Sequence, residues 1–238
     1  MPYRESSLIA TLLSQRHGRV SIIAKGARRS ASAPLPMERG QIVDLVLYVR
    51  PHRDLHTAAQ ISIVNYFPSI RADIGKLALR DAAVELILAS LVSPEPHPGH
   101  YDFAARFLDR LEAVPAAPCP IHELWRFFYG WAGLLGFMLN LSECVRCNSR
   151  AVAAEGGALV IEKGGLLCSA CGGDVSSRSS FVPGEAVAFL LGATPPGERP
   201  ASAPRELMRV ARLLSDYCRF HIELRSGSNA LDFLNSIL

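Results

Sequence analysis

The middle of the chain contains two Cys-x-x-Cys motifs, at 144–147 and 168–171, with twenty residues between them. Two tight turns of this kind that face each other supply four thiolates to one tetrahedral ion. The intervening segment has a short β-prone run at 158–161 between two glycine-containing turns. The spacing therefore predicts a zinc ribbon at 144–171, a small hairpin held by one metal ion. The alternative is two unrelated pairs of free or disulfide-bonded cysteines.

The metal is expected to have a structural role. Four thiolates fill a tetrahedral shell and leave no position for water, so we expect a structural Zn2+ rather than a catalytic one. The predicted ligands are Cys144, Cys147, Cys168 and Cys171. Cys119 and Cys218 lie outside this spacing and are interpreted as ordinary unpaired residues.

The ends and apolar runs of the chain bear on its location. Residues 1–7 lack the apolar region of a secretory signal, and the longest apolar runs, such as 131–139, are too short to span a bilayer. We therefore expect a soluble cytoplasmic protein with no membrane partner. A reducing compartment favours thiolate–metal binding over disulfides.

Positive charge is concentrated at the start of the chain. The formal net charge is +3, but residues 1–60 contain nine Lys and Arg against four Asp and Glu, a balance of +5. Cations on a flexible loop can reach successive phosphates of a nucleic acid. The candidate DNA contacts are Arg16, Arg19, Lys25, Arg28, Arg29 and Arg39. The alternative is a solvated loop that only increases solubility, and aromatic residues for base stacking are sparse in this part of the chain.

The hydrophobic pattern divides the chain into two regions, which predicts an α+β fold. Before Pro68 the pattern is that of short strands with a Ser-, Ala-, Arg- and Pro-rich loop at 26–36. The predicted strands are 6–13, 20–24, 43–49 and 55–64, which favours a small barrel or sandwich. After Pro68 the period becomes helical. The predicted helices are 73–92, one that ends before Pro115, 121–135, 183–191 and 205–224, with the metal hairpin inserted among them.

Motifs of several enzyme classes are absent. The sequence has no phosphate-binding Gly-x-x-x-x-Gly-Lys-Ser/Thr loop and no Gly-x-Ser-x-Gly nucleophile motif. His122-Glu123 begins like a zinc-protease motif, but residue 126 is Arg, so the second histidine ligand is missing. A stripe of arginines at 205, 209, 212 and 219 on the last predicted helix is interpreted as a solvated face.

Several of these segments resemble the RecO family of DNA repair proteins. The similar segments are 2–9, 17–20, 24–29, 139–147, 168–171 and 213–221, and they cover almost the whole chain. The most specific are Ala24-Lys-Gly-Ala-Arg-Arg29 and the four cysteines in that order. The resemblance implies an OB-fold β-barrel at 1–67 and an α-helical domain at 68–238 that carries the zinc hairpin.

The resemblance also implies a function without bond chemistry. RecO proteins mediate recombination: they bind single- and double-stranded DNA, anneal complementary strands and, with RecR, help to load RecA onto DNA covered by single-stranded DNA-binding protein (SSB). Contact with the acidic C-terminal tail of SSB is implied for the helical domain, in the bacterial cytoplasm and at the nucleoid during repair. The alternatives are a zinc-ribbon adaptor with little DNA binding of its own and, third, a zinc hydrolase.

The chain departs from the family pattern in two places. Family members begin with one more strand before the segment that matches residues 2–5, so four barrel strands are expected here where an OB-fold has five. The start of the protein then lies upstream of Met1, or the barrel is open at one edge. Near the other end, residues 225–229 replace a more basic segment.

Overall fold

Strands come first in the chain and helices follow, as the change of hydrophobic period predicts. The computed structural model describes residues 7–24, 37–49, 53–172, 180–195, 197–224 and 226–238. The N-terminal strands are β1 (Leu8–Ser14), β2 (Gly18–Ala24), β3 (Ile42–Tyr48) and β4 (Leu55–Asn65). Each of the four predicted strands is found, with its ends within two residues of those expected. The basic segment 25–29 lies outside the described residues.

The helices enclose a second, smaller sheet. They are α1 (Pro68–Ala72), α2 (Ile74–Ser90), α3 (Pro98–Ala113), α4 (Ile121–Leu134), α5 (Ala151–Glu155), α6 (Gly184–Leu190), α7 (Pro204–His221) and α8 (Asn229–Ile237). The second sheet consists of β5 (Gly156–Val160), β6 (Gly165–Leu167) and β7 (Phe181–Pro183). The predicted α+β class, with the hairpin inserted among helices, is confirmed.

The N-terminal sheet has the strand order β1-β2-β4-β3. The two outer pairs are antiparallel, and β2 and β4 pair in parallel. Alternate residues of β2 are buried, among them Val20, Ile22 and Ala24, because successive side chains of a strand point to opposite faces. This non-sequential strand order is that of a small Greek-key barrel of the OB type.

Helix α4 forms the centre of the helical region. Its aromatic side chains Trp125, Phe127 and Trp131 are fully buried. The indole Nε1 of Trp125 donates to the Leu207 carbonyl oxygen at 2.9 Å, and that of Trp131 donates to Ser90 Oγ at 2.9 Å. Both polar indole groups are therefore satisfied, so that α4 gains the burial of its large rings without an unpaired donor.

The turn between β1 and β2 contacts the helical region. Gly18, with φ of +60°, lies against the backbone of Glu95 in the connection between α2 and α3. Arg19 Nη1 donates to the Leu88 carbonyl oxygen at 3.3 Å, at the end of α2. Beside this contact, an open cavity of about 800 Å3 separates the edges of β1 and β3 from α2 and α3.

Candidate metal centre and nucleic-acid surface

The structure brings the four predicted cysteine ligands together. The sulfur atoms of Cys144, Cys147, Cys168 and Cys171 all lie within 4.8 Å of one another. Cys144 and Cys168 are buried and Cys147 is exposed, and all four are free thiols. The four sulfurs are close enough to bind one metal ion, whereas the alternative of separate disulfide-bonded pairs does not describe this arrangement.

Short turns aim the sulfurs inward. In the first motif the amide of Asn148, a residue with φ of +57°, donates to the Cys144 carbonyl oxygen at 2.9 Å. In the second motif the amides of Cys171 and Gly172 donate to the Cys168 carbonyl oxygen at 3.0 and 2.8 Å. Each first cysteine therefore anchors a tight turn that folds its partner sulfur back toward it.

The hairpin brings the second turn beside the first. Strands β5 and β6 pair antiparallel, as predicted, and the amide of Val145 donates to the Leu166 carbonyl oxygen at 2.9 Å. The first of the two glycine-containing turns expected around the β-prone run, at 155–157, is not found: Glu155 ends α5 and Gly156 begins β5 with φ of +82°. A Cβ atom at residue 156 would lie 2.2 Å from the Val182 carbonyl oxygen, so that the close approach of β7 requires glycine there.

The thiols of the cluster differ in acidity. Burial opposes ionisation of Cys144, but the backbone amides of Cys168, Arg146 and Cys147 donate to its sulfur and lower the pKa of this thiol to about 6. A hydrogen bond with Cys147, together with burial and the neighbouring sulfurs, raises the pKa of Cys171 to about 12. Adjacent thiolates repel one another, so a bound metal ion would favour the ionised form of all four thiols.

The candidate DNA contacts are only partly described. Lys25, Arg28 and Arg29 lie outside the described residues. Arg16 is exposed in the turn between β1 and β2, whereas the half-buried Arg19 is bound to the end of α2.

Arg39 lies in the turn before β3, and its Nη1 atom is 3.8 Å from Asp81 Oδ2. Arg19 and Arg39 both line the cavity between the sheet and the helices.

The arginine stripe of α7 is largely engaged within the protein. Arg209 forms an ion pair with Glu206 at 2.7 Å, and Arg212 forms one with Asp232 at 2.9 Å. Arg219 is buried and its Nη1 atom donates to the Ser226 carbonyl oxygen at 2.7 Å. The interpretation of this stripe as a solvated face is therefore wrong for the buried Arg219, whereas the Arg209 pair lies within α7 and the partly exposed Arg212 pairs with α8.

A second cationic group lies on the helical region around a buried carboxylate. The Glu123 side chain is 3% exposed, and it accepts from Arg110 Nε at 3.3 Å and from Arg126 Nη1 at 3.0 Å. The guanidinium of Arg126 also lies 4.0 Å from the centre of the Phe189 ring. Burial lowers the pKa of His122, which lies 3.6 Å from Glu123, to about 4. This cluster, hereafter the Glu123 cluster, presents two half-exposed guanidinium groups.

Sequence reasoning passed over this cluster. Residues 122–126 were considered only as an incomplete protease motif, although Glu123 and Arg126 stand at the i, i+3 spacing of a helical ion pair. That spacing could have found the pair. Arg110 and Phe189 come from other helices, and no local signal connects them to it.

Within the described part of the chain, the helices include none that is long and apolar enough to cross a lipid bilayer.

Comparison with known proteins assigns both regions of the chain to one family. The family model for the Recombination protein O N terminal matches residues 1–67, and the model for the Recombination protein O C terminal matches residues 71–230. Together these two matches span nearly all of the strands, the helices and the cysteine cluster described above.

Curated relatives agree with the family models. A DNA repair protein RecO from Geobacter metallireducens is 31% identical over 242 residues, which cover 100% of this chain and 93% of the relative. One from Pelobacter propionicus is 29% identical over 196 residues, 80% of this chain and 75% of the relative. One from Pelodictyon phaeoclathratiforme is 26% identical, with 99% and 94% covered. The resemblance inferred from the sequence is confirmed: this chain belongs to the RecO family of DNA repair and recombination proteins, with an OB-fold N-terminal region, a helical region and a four-cysteine metal site.

Proposed function

We propose that this chain is a non-enzymatic recombination mediator of the bacterial cytoplasm, acting at the nucleoid during repair. It binds single- and double-stranded DNA, anneals complementary strands and, with RecR, helps to load RecA onto single strands covered by SSB. The observation that carries the proposal is the RecO match across both regions, on a chain whose N-terminal region joins an OB-type sheet to the basic segment 25–29. The proposal divides the chain into a DNA-binding domain at 1–67 and a helical domain at 68–238.

The metal is proposed to be one structural Zn2+. An all-sulfur ligand set of four is typical of structural zinc sites, and it leaves no position at which a substrate could bind the metal. The ion would be held by the cysteine cluster, and its binding free energy would stabilise the hairpin of β5 and β6.

Phosphate contact by the basic segment can be tested by binding to a single-stranded oligonucleotide across a salt series. Replacing Lys25, Arg28 and Arg29 together by Ala should weaken binding and lower the slope of log affinity against log salt by about 2, since each lost single-strand phosphate contact contributes about 0.7. A matched control replaces three exposed cations of the helical region by Ala: Arg106, Lys163 and Arg205.

Equal slopes for the two triple variants would contradict phosphate contact by the basic segment. Binding that does not depend on salt at all would likewise rule out phosphate contact, whereas a chain that does not bind DNA would contradict the DNA-binding function itself.

The second candidate function is a protein-interaction adaptor, and the Glu123 cluster is the observation that favours it. Two half-exposed guanidinium groups on one surface suit a peptide that carries carboxylates. We propose this cluster as the contact for the acidic SSB tail in either function. Arg126→Ala should weaken binding of a tail peptide to the full chain, whereas Arg150→Ala, on an exposed side chain of the hairpin region, should not. A chain that binds the peptide but no DNA would support the adaptor.

A further inference from the structure

The outer face of the N-terminal sheet exposes a tyrosine. The side chains of Val43, Leu45 and Leu47 line the cavity on the inner side of the sheet. Because side chains alternate along a strand, Val46 and Tyr48 point to the opposite side, away from α2 and α3. Tyr48 is 67% exposed and Val46 is 55% exposed. An aromatic ring displayed in this way is not part of the core.

The strand register places this ring near the point at which the chain enters its basic segment. Tyr48 of β3 lies opposite Thr57 of β4, and Thr57 lies opposite Ile23 of β2. One row thus crosses three strands, and neighbouring strands are about 4.8 Å apart, so the Tyr48 backbone is about 10 Å from that of Ile23. Two residues after Ile23 the chain reaches Lys25, the first cation of the basic segment.

The surroundings of Tyr48 on the outer face are mixed: Val46 and Leu55 are exposed there beside hydrogen-bonding side chains. The cross-strand neighbour of Tyr48 is Thr57, and Gln60 lies opposite Val46. The carboxylate of β3 is Asp44, which is four residues from Tyr48, or about 13 Å along the strand. An exposed aromatic ring flanked by hydrogen-bonding side chains, on a sheet face whose strand β2 continues in sequence into a cation-rich segment, matches the pattern of single-strand binding, in which bases stack and phosphates meet cations.

We infer that Tyr48 stacks on a base of single-stranded DNA that lies across the outer face of the sheet, beside Val46 and Gln60. This inference rests on the proposed DNA-binding function. It adds which face of the sheet binds DNA, which residue stacks on a base, and that the contact is specific to single-stranded DNA. In a duplex the bases are already paired and stacked inside the helix. The Tyr48 ring therefore contributes to binding of single strands and not to binding of duplexes, for which phosphate contacts remain.

The inference is tested by measuring the affinity of the full chain for a single-stranded oligonucleotide and for the matching duplex. Tyr48→Ala should weaken single-strand binding about 5- to 150-fold, since a base stacked on an aromatic ring contributes about 1–3 kcal/mol. Tyr48→Phe should retain most of the affinity, because its ring can still stack. Duplex affinity and the salt slope should stay unchanged. Phe233→Ala, at a half-exposed ring on α8, is the matched control.

The outcomes separate this inference from the proposed function. Salt-dependent single-strand binding that Tyr48→Ala leaves at the wild-type level would overturn the stacking role and leave the DNA-binding function standing. Equal weakening of single-strand and duplex binding would also overturn it. If the wild-type chain bound neither DNA, the proposed function would fail, and the inference would fail with it.

A fluorescent variant supplies an independent measurement. Trp125 and Trp131 are both fully buried, so an indole introduced by Tyr48→Trp would be the solvent-facing one among the described residues. Its red-shifted emission should be quenched by the single-stranded oligonucleotide and not by the duplex. Absence of quenching at saturating single strand would overturn the inference, and an unchanged urea unfolding curve would show that the variant is folded.

Discussion

Lys76 is a charged residue in the interior of the helical region. Its side chain is fully buried, and its Nζ atom donates to Ser69 Oγ at 2.6 Å and to the Glu112 carbonyl oxygen at 3.1 Å. The Glu112 carboxylate in turn accepts from the amides of Ser69 and Ile70, at 2.8 and 2.9 Å. One lysine thus joins α1, α2 and α3, because each helix supplies a member of this network.

Removing the Lys76 side chain should be costly. Lys76→Ala leaves a cavity and two buried acceptors without their donor, so we expect a loss in the free energy of unfolding of roughly 2–4 kcal/mol. Lys76→Met fills the same space without a buried charge, and its loss should be smaller by about 2 kcal/mol. Urea unfolding measures both, with Lys163→Met on an exposed lysine as the control. Equal losses for the Ala and Met variants would show that the volume of the side chain does not matter.

At the scale of elements, the metal hairpin is expected to depend on a bound metal ion in addition to its buried side chains. Its strands have three and five residues, which is too short for a hairpin to be stable alone in water. Leu166 and Val182 of this small sheet belong to the same buried core as α4. Loss of the metal should therefore reach the helical core as well.

Cys168→Ser should abolish stoichiometric zinc binding and lower the free energy of unfolding by several kcal/mol, since the free energy of metal binding is also free energy of folding. Metal content by atomic absorption and the melting temperature are the measurements. Cys119→Ser is the control, because this half-buried thiol lies outside the cluster. Unchanged zinc content together with a wild-type melting temperature in Cys168→Ser would rule out ligation by this sulfur.

The elements with a strong local signal could be predicted from the sequence. Alternation gave the four N-terminal strands, and the two Cys-x-x-Cys motifs indicated the sulfur cluster. Helix α2 was predicted at 73–92 and is found at Ile74–Ser90, because Asp73 caps it: its Oδ1 atom accepts from the Lys76 amide at 2.8 Å.

The elements that the sequence did not reveal depend on distant partners. Helix α8 has nine residues, and the Glu85 carboxylate of α2 accepts from Ser228 Oγ at 2.6 Å and from the Ala230 amide at 3.1 Å at its start. Strand β7 has three residues and exists through its pairing with β5. The exposure of Tyr48 likewise depends on which face of the sheet α2 and α3 cover, and the pattern of β3 alone does not specify that.

At the scale of the whole molecule, Gly18 connects the sheet to the helical region. The φ of Gly18 is +60°, and a Cβ atom at this position would lie 1.8 Å from the Glu95 carbonyl oxygen. Gly136 has φ of +88° with no atom within 4 Å of such a Cβ atom. An alanine at 136 would therefore introduce backbone strain alone, whereas an alanine at 18 would introduce both backbone strain and a steric clash between the sheet and the helical region.

Gly136→Ala should cost about 1 kcal/mol, the strain of a left-handed backbone. Gly18→Ala should cost about 2 kcal/mol more, because the sheet must move away from the connection between α2 and α3. Hydrogen exchange measured by mass spectrometry should then rise in β1 and β2 and stay unchanged in α4. Equal exchange in β1 and β2 for the two variants would mean that the contact at Gly18 does not hold the sheet in place.

The contact at Gly18 is made at the end of the sheet where β1 turns into β2, whereas Tyr48 and the entry to the basic segment lie further along the strands. At that end of the sheet the backbone of Gly18 lies directly against the Glu95 carbonyl group, with no room for a side chain between them. A single DNA strand bound on the outer face, as proposed, would lie away from this contact. The contact at Gly18 would then set the direction of the helices relative to the bound DNA.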